Sequence, residues 1–439
     1  MNDPLVVKAA PTKRFFISVL VKDIHLIDAL VELVDNSVDS ARSDIGTDKL
    51  RQVHIEIDYD AQSFSIKDNA AGISIEQARN YAFRFGRPGD APVKQFSVGE
   101  FGVGMKRALF KLGRHFDISS KTSNEFFSIL LDVDEWEAVS DEDPNAWHFR
   151  FDKTGTNQDP KDTGTKIVVT KLHSYACEEF QSSNFGTRLA ALLKETHAES
   201  LANGLQIIIN KKSIHAESAT LLESDDIQSM HIETTLKISN KEVTVKIFAG
   251  IGEPRLVDAG WYVFCNGRLI ERAEKTEKTG WNSAIDGEQT PKPHWQFRRF
   301  RGYAFFESQW PDVLPWNTTK TSLDVEAPAY RQIKSDMSSA LRQVIAFLNS
   351  LDAEASEAGP LSAAVEAATP LQLLQIKQNK SFVYQVKSAK AQPKEAQISY
   401  KKPSDMVNQV KRSLEVKSNR EVGEKTFDYY VESEGLDGK

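Results

Sequence analysis

Cysteine is nearly absent. Cys177 and Cys265 are the only two in 439 residues. They are too few and too far apart for a disulfide framework or a zinc site. A reducing, cytoplasmic compartment is therefore the expectation. No run of about 18 apolar residues occurs, so no membrane span is expected, and Met1 to Lys13 hold no apolar stretch of signal-peptide length. No sign of charge dominates: 55 Lys+Arg against 62 Asp+Glu leave a net −7. That mild acidity argues against a surface built throughout for nucleic acid, while leaving room for a local basic groove. What is present is ordinary globular usage, 40% hydrophobic and 27% charged. At roughly 150 residues per domain the length corresponds to about three domains.

The opening residues, to about Arg14, read as an arm. Ile24, Ile27, Leu30, Leu33 and Val34 recur near helical spacing and predict a helix over Asp23–Arg42. Val53–Ile57 and Ser63–Asp68 read as strands joined by a hairpin turn. A helix near Ile75–Phe83 precedes a glycine-rich stretch from Gly86 to Gly104, where another helix opens and runs to Leu112. Strands are expected at His115–Ser120, Phe126–Leu131, Trp147–Phe151 and Thr165–Leu172. A helix at Phe185–Asn203 follows, with Gly204 as its C-cap. From Leu205 the texture is again strand-like as far as Glu307, and Ala327–Leu351 reads as a helix. Ala, Ser, Glu and Pro, and then Lys, dominate the rest, which reads as a flexible extension with short helices.

Four separated strings carry chemistry. In Glu32-Leu-Val-Asp-Asn36-Ser-Val-Asp39, Glu32 and Asn36 are four apart and share a helix face. A carboxylate there can take a proton from water, and an amide oxygen is a hard, neutral ligand acceptable to magnesium. Taken alone, the pair is an ordinary polar stripe. Asp68-Asn-Ala70-Ala-Gly72 follows an apolar strand. A carboxylate in that place can accept a hydrogen bond from the amine of a planar ring, although an Asx turn is the plainer account. Gly99-Glu-Phe-Gly102-Val103-Gly104-Met-Lys106 leads into a helix. Glycines let backbone amides approach phosphate oxygens, and the helix N-terminus adds partial positive charge. No strand directly precedes the first glycine, and no Gly-Lys-Ser/Thr ending is present, which excludes the dinucleotide fingerprint and the Walker loop. Thr163-Gly164-Thr165 stands just before a strand.

In this order and spacing the four strings, from about Leu26 to Leu172, resemble the GHKL ATPase superfamily. Its members include DNA gyrase B, the heat-shock chaperone ATPases, histidine kinases, MutL and the MORC proteins. Phe101–Lys106 is nearest in texture to the MORC and heat-shock chaperone branches. The resemblance implies an α+β chain. Its two-layer α/β sandwich would span residues 15–204, followed by a smaller transducer-like domain over 205–351 and a Lys-rich, partly disordered extension over 352–439. It implies ATP with Mg2+ as cofactors and slow hydrolysis to ADP and phosphate. Glu32 would be the general base and Asn36 the magnesium ligand. Asp68 would bind the adenine amine, and Gly72 would pack under the ring. Gly99, Gly102, Val103 and Gly104 would shape a lid over the phosphates, Lys106 would add charge, and Thr165 would support the adenine side. Ala70 stands where the family carries a glycine, and its Cβ could crowd the ring. Leu314–Asp324 falls where relatives carry a loop whose lysine reaches the terminal phosphate, making Lys320 the second catalytic candidate.

The implied behaviour is an ATP-gated homodimeric clamp acting on DNA or a protein partner. Two alternatives are a chaperone-like ATPase acting on client proteins and a nucleotide-binding subunit of a larger, defence-related complex. His294–Arg301 interleaves aromatics with arginines, a texture that suits bases and phosphates and equally an amphipathic strand with one basic, solvated face.

Overall fold

The residues described in the computed structural model are 12–22, 24–43, 53–86, 95–98, 103–140, 143, 145–285, 288–317, 320–354, 359–385 and 398–435. They fall into two units, Met1–Val386 and Lys387–Lys439.

The first unit opens with helices α1 (Lys13–Lys22) and α2 (Leu26–Ser43), strands β1 (His54–Tyr59) and β2 (Phe64–Asp68), and a short α3 (Ile75–Gln77) continued by a π-helical turn. Then come α4 (Gly104–Leu112), β3 (Gly113–Lys121), β4 (Glu125–Asp132), α5 (Val133–Ala138), β5 (Lys153–Thr156) and β6 (Gly164–Leu172). Helices α6 (Ser174–Gln181), α7 (Phe185–Thr196) and α8 (Ala198–Ala202) precede β7 (Gln206–Ile209) and β8 (Lys212–Ile214). The eight strands form one sheet in the order β5-β4-β3-β6-β2-β1-β7-β8. Its neighbours are antiparallel except for β1 with β7, which are parallel. Ile55, Ile57, Phe64, Ile66, Phe116, Ile118, Ile167 and Val169 alternate with polar neighbours, apart from Val168 in β6, and share one core with α2, α4, α6 and α7. Each such side chain contributes about 1.5–3 kcal/mol on burial. This is the expected two-layer sandwich with a mixed, mostly antiparallel sheet.

Helix α2 is buried on its polar side as well. Ala29, Leu30, Leu33, Val34 and Ala41 fill the core, yet Glu32, Asp35 and Asp39 are also no more than 5% exposed. Buried carboxylates need partners, and these partners, given below, position the site.

The second core is built on a sheet in the order β11-β12-β17-β13-β14. The strands of this half are β9 (Thr220–Glu223), β10 (Ile227–Gln228), β11 (Met230–Ile238), β12 (Lys241–Ile251), β13 (Gly260–Cys265), β14 (Arg268–Glu274), the small hairpin β15 (Ala284–Ile285) with β16 (Glu288–Gln289), and β17 (Phe300–Glu307). Helix α9 (Pro328–Asp352) lays Tyr330, Ile333, Met337, Leu341, Val344 and Leu348 into this core. Helix α10 (Pro360–Ala367), β18 (Thr369–Gln372) and β19 (Val383–Tyr384) follow. In the second unit α11 (Ser404–Leu414) precedes α12 (Asn419–Ser433), which starts on a Ser418–Glu421 capping box.

Several expectations differ from the structure in detail. Residues 206–214, placed beyond the first sandwich, are hydrogen-bonded into its sheet through β1. Trp147–Phe151 forms no strand; its rings instead join Phe85 and Trp136, with Trp147 centroids at 5.5 and 5.8 Å. The helix expected over 185–203 breaks at His197. Lys13 is no part of a loose arm: its ammonium is buried, 2.8 Å from Trp136 O and 2.7 Å from Val139 O. Residues 360–385, read as flexible, pair as β18–β9 and β19–β10 and send Leu361, Val365 and Phe382 into the second core. His294–Arg301 is a 3-10 turn, Trp295–Phe297, followed by β17. Arg301 there is buried and donates to the carbonyls of Arg298, Phe300 and Glu253, so its cation is taken up inside the fold.

Candidate functional site

Glu32, Asp35, Asn36 and Asp39 recur at helical spacing along α2, and the three carboxylates are each met by a different segment. Glu32 forms a two-point ion pair with Arg107 of α4: Nε lies 3.2 Å from Oε2, and Nη2 bonds Oε1. The start of α4 closes on the same carboxylate, since a Cβ at Gly104 would lie 3.1 Å from Glu32 Oε2. Asn36 is exposed, and its Nδ2 donates to Glu32 O at 2.8 Å.

Asp68, at the end of β2, is joined to α2 by Ser37, whose Oγ donates to Oδ2 at 2.8 Å. Its Oδ1 accepts from Ala70 N at 3.0 Å and Thr165 N at 3.2 Å. Burial pushes this carboxyl above the usual carboxylate range, against the pull of those three hydrogen bonds. A carboxylate has about four acceptor positions, so one is left over. Two glycines make the arrangement fit. Gly164 has φ +133°, and a Cβ on it would lie 2.0 Å from Asp68 O; Gly72 has φ +76°, and a Cβ would lie 2.0 Å from Lys121 O. Neither position admits a side chain. Thr165 Oγ1 lies 2.9 Å from Ser120 Oγ, which accepts from Ile73 N at 2.7 Å. The turn after Asp68 is thus tied to the start of β6. Ala70 needs no glycine there: its side chain is buried in the core around α2, and its φ is not positive.

Lys106 follows Gly104 on α4, but its side chain is 2% exposed and its ammonium donates to Ala82 O at 3.0 Å. Burial pushes it down to about 7. Gly99 and Gly102 lie outside the described residues; Val103 is the N-cap of α4. The segment entering that glycine stretch is fastened at two points. Val98 N donates to Asp39 Oδ1 at 2.7 Å, and Ser97 O accepts from Asn266 Nδ2 at 3.2 Å. Val98 itself packs in the core of the second sheet.

Lys320 is also buried, at 7% exposure, with φ +55°. Its ammonium lies 3.9 Å from Asp35 Oδ2, and its carbonyl accepts from Arg268. A residue almost 290 positions beyond Glu32 therefore reaches the same helix. Among the described residues no group of three or more His, Cys, Asp or Glu could hold a metal ion, and no helix is long and apolar enough to cross a membrane.

A family model described as histidine kinase-, DNA gyrase B- and HSP90-like ATPase matches residues 24–165. Those residues are a GHKL ATPase domain. No curated protein matches the chain. The matched span starts just ahead of α2 and ends at Thr165, so it takes in Glu32, Asn36, Asp68 and the start of α4. The contacts around α2 also involve residues with little or no signal in the sequence. Ser37 lay inside the first string without a role, whereas Arg107 and Ser120 had no signal beyond polarity. Asp35 stood inside the first string without a role, and Arg268 had no signal of its own.

Proposed function

We propose that this chain binds ATP with magnesium and hydrolyses it slowly, working as a nucleotide-gated switch. The observation that carries the reading is convergence on one helix: Glu32 and Asn36 of α2, Asp68 bonded to Ser37 of α2, and the start of α4 beside Glu32. Glu32 acts as base toward the attacking water. Asp68 receives the adenine amine on its remaining acceptor position, with Gly72 and Thr165 shaping that side. Gly99, Gly102, Val103 and Gly104 form the lid. A single exposed amide, Asn36, fits a magnesium ion that takes its other oxygens from phosphate and water. The bound ion would neutralise phosphate charge. Lys320 senses the terminal phosphate from the second half of the unit, and the Asn266 contact to Ser97 links that half to the lid.

Asp68→Asn tests the adenine role. An asparagine can keep its oxygen toward the two backbone N–H groups, but then presents an amide donor where the adenine amine also donates. Loss of a hydrogen bond to a charged group costs about 1.5–3 kcal/mol, so adenine-nucleotide affinity should fall at least about tenfold with the fold unchanged. Titration calorimetry with ATP and ADP reads this; equal affinities in the variant and the wild type would remove Asp68 from the site.

The partner reading is a homodimer closed by ATP around DNA or a protein segment, with the motif texture of Phe101–Lys106 favouring a MORC-like clamp. Light scattering with an ATP analogue, ADP or no nucleotide should show a doubled mass only with the analogue. ATPase stimulation by duplex DNA, as against unfolded protein, separates the clamp from a chaperone-like machine.

A further inference from the structure

Both oxygens of Glu32 are occupied by one guanidinium. The side chains of Glu32 and Arg107 are 5% and 12% exposed, so their contact is shielded from water and salt, where bidentate pairs are strong. Arg107 stands in the first turn of α4, its N–H bonded to Val103 O at 2.9 Å. The N-terminus of that helix follows the glycine stretch and favours an anion. A guanidinium fork fits phosphate as well as it fits carboxylate. A phosphate held at that helix N-terminus would share with the base one cation, Arg107.

We infer that Arg107 is a positioning residue that exchanges partners. It holds Glu32 in the nucleotide-free protein, then turns to the terminal phosphate of ATP and so releases the carboxylate to the attacking water. The inference rests on the ATP site proposed above. It makes the base available only when the phosphate is present, and it sets Glu32 and that phosphate in competition for Arg107. ADP lacks the terminal phosphate and does not enter the competition.

Glu32→Gln should then tighten ATP and leave ADP alone. Direct repulsion between carboxylate and phosphate gives the same gain, so a second substitution is needed. Repulsion does not require Arg107 and strengthens when the guanidinium that offsets it is gone. Competition disappears without Arg107.

The experiment measures dissociation constants for ADP and a non-hydrolysable ATP analogue, with magnesium, in the wild type, Glu32→Gln, Arg107→Met and the double variant. Contacting residues couple strongly enough for a gain of about three- to tenfold in analogue affinity from Glu32→Gln when Arg107 is present. In the Arg107→Met background the gain should shrink to within about twofold, as expected once the coupled partner is removed. A gain that is undiminished or larger there overturns the exchange. Arg107→Lys keeps the charge without the fork and should give an intermediate gain; it carries the same test if Arg107→Met fails to fold. No analogue binding by the wild type would overturn the ATP site and this inference with it. Binding with an undiminished gain would overturn the exchange alone.

Discussion

Glu32→Gln should lower phosphate release at saturating ATP by about 10²–10⁴-fold, the usual range for a general base, while ATP stays bound. The substitution keeps the shape of the side chain. One oxygen can still accept from Arg107, so α2 and α4 remain in contact where Glu32 and Arg107 now meet. What is lost is the ability to take a proton from water. Because Glu32 would act on the attacking water and not on the nucleotide, binding and turnover should separate. Steady-state phosphate release beside calorimetric binding decides the matter. Turnover within a few-fold of wild type would mean that Glu32 is a structural partner of Arg107 and nothing more. Loss of ATP binding together with turnover would mean that the pair shapes the site instead of acting in it.

The parts of this site that were legible in the sequence are the local ones. Glu32 and Asn36 are four apart, a spacing that helix geometry alone puts on one face. Asp68 ends an apolar alternating strand, and Gly164 precedes another, so both could be placed at strand ends. The roles that were not legible depend on pairing across long separations. Asp35 meets Arg268, 233 positions away, and nothing local distinguishes it from Asp39 or Asp44. Ala70 looked like an obstruction because its side chain could not be assigned a direction until the turn was tied to Thr165. Strand β7 looked like part of the second domain because it comes after the helical stretch that ends at Ala202, yet it pairs in parallel with β1 and so extends the first sheet. Residues 360–385 looked flexible because β18 and β19 are four and two residues long, too short for a periodicity to show.

The largest stability loss is expected at Asp35. Its carboxylate is 1% exposed and is shared by three groups: Arg268 Nε at 3.1 and 3.0 Å from its two oxygens, His197 Nε2 at 3.4 Å and Lys320 Nζ at 3.9 Å. Burial pushes the carboxyl up, but Arg268, Lys320 and His197 together hold it below the usual range. Asp35→Ala leaves the Arg268 and Lys320 cations buried without their counter-charge, and removing one partner of a buried pair costs about 3–5 kcal/mol. Asp35→Asn, which keeps an acceptor for Arg268, should lose less. The pH dependence has a definite sign. A carboxyl with a depressed folded pKa stabilises above its unfolded value, and that stability disappears as pH falls through the folded value. His197 acts in the same direction. Burial pushes its imidazole down to about 4, so between about 6.5 and 4 the unfolded chain takes up a proton that the folded chain does not, a loss on the order of 3 kcal/mol. Wild-type stability should therefore fall on acidification from pH 7 to 4. The gap between wild type and Asp35→Ala should hold down to about pH 4 and narrow only below it, as the falling pH protonates the depressed Asp35 carboxyl, so the range is carried on to about pH 2. Urea unfolding of both proteins across that range measures this. A difference below about 1 kcal/mol at pH 7, the size of an exposed surface pair, would mean that Asp35 does not hold α2 to the strand and loop that carry Arg268 and Lys320.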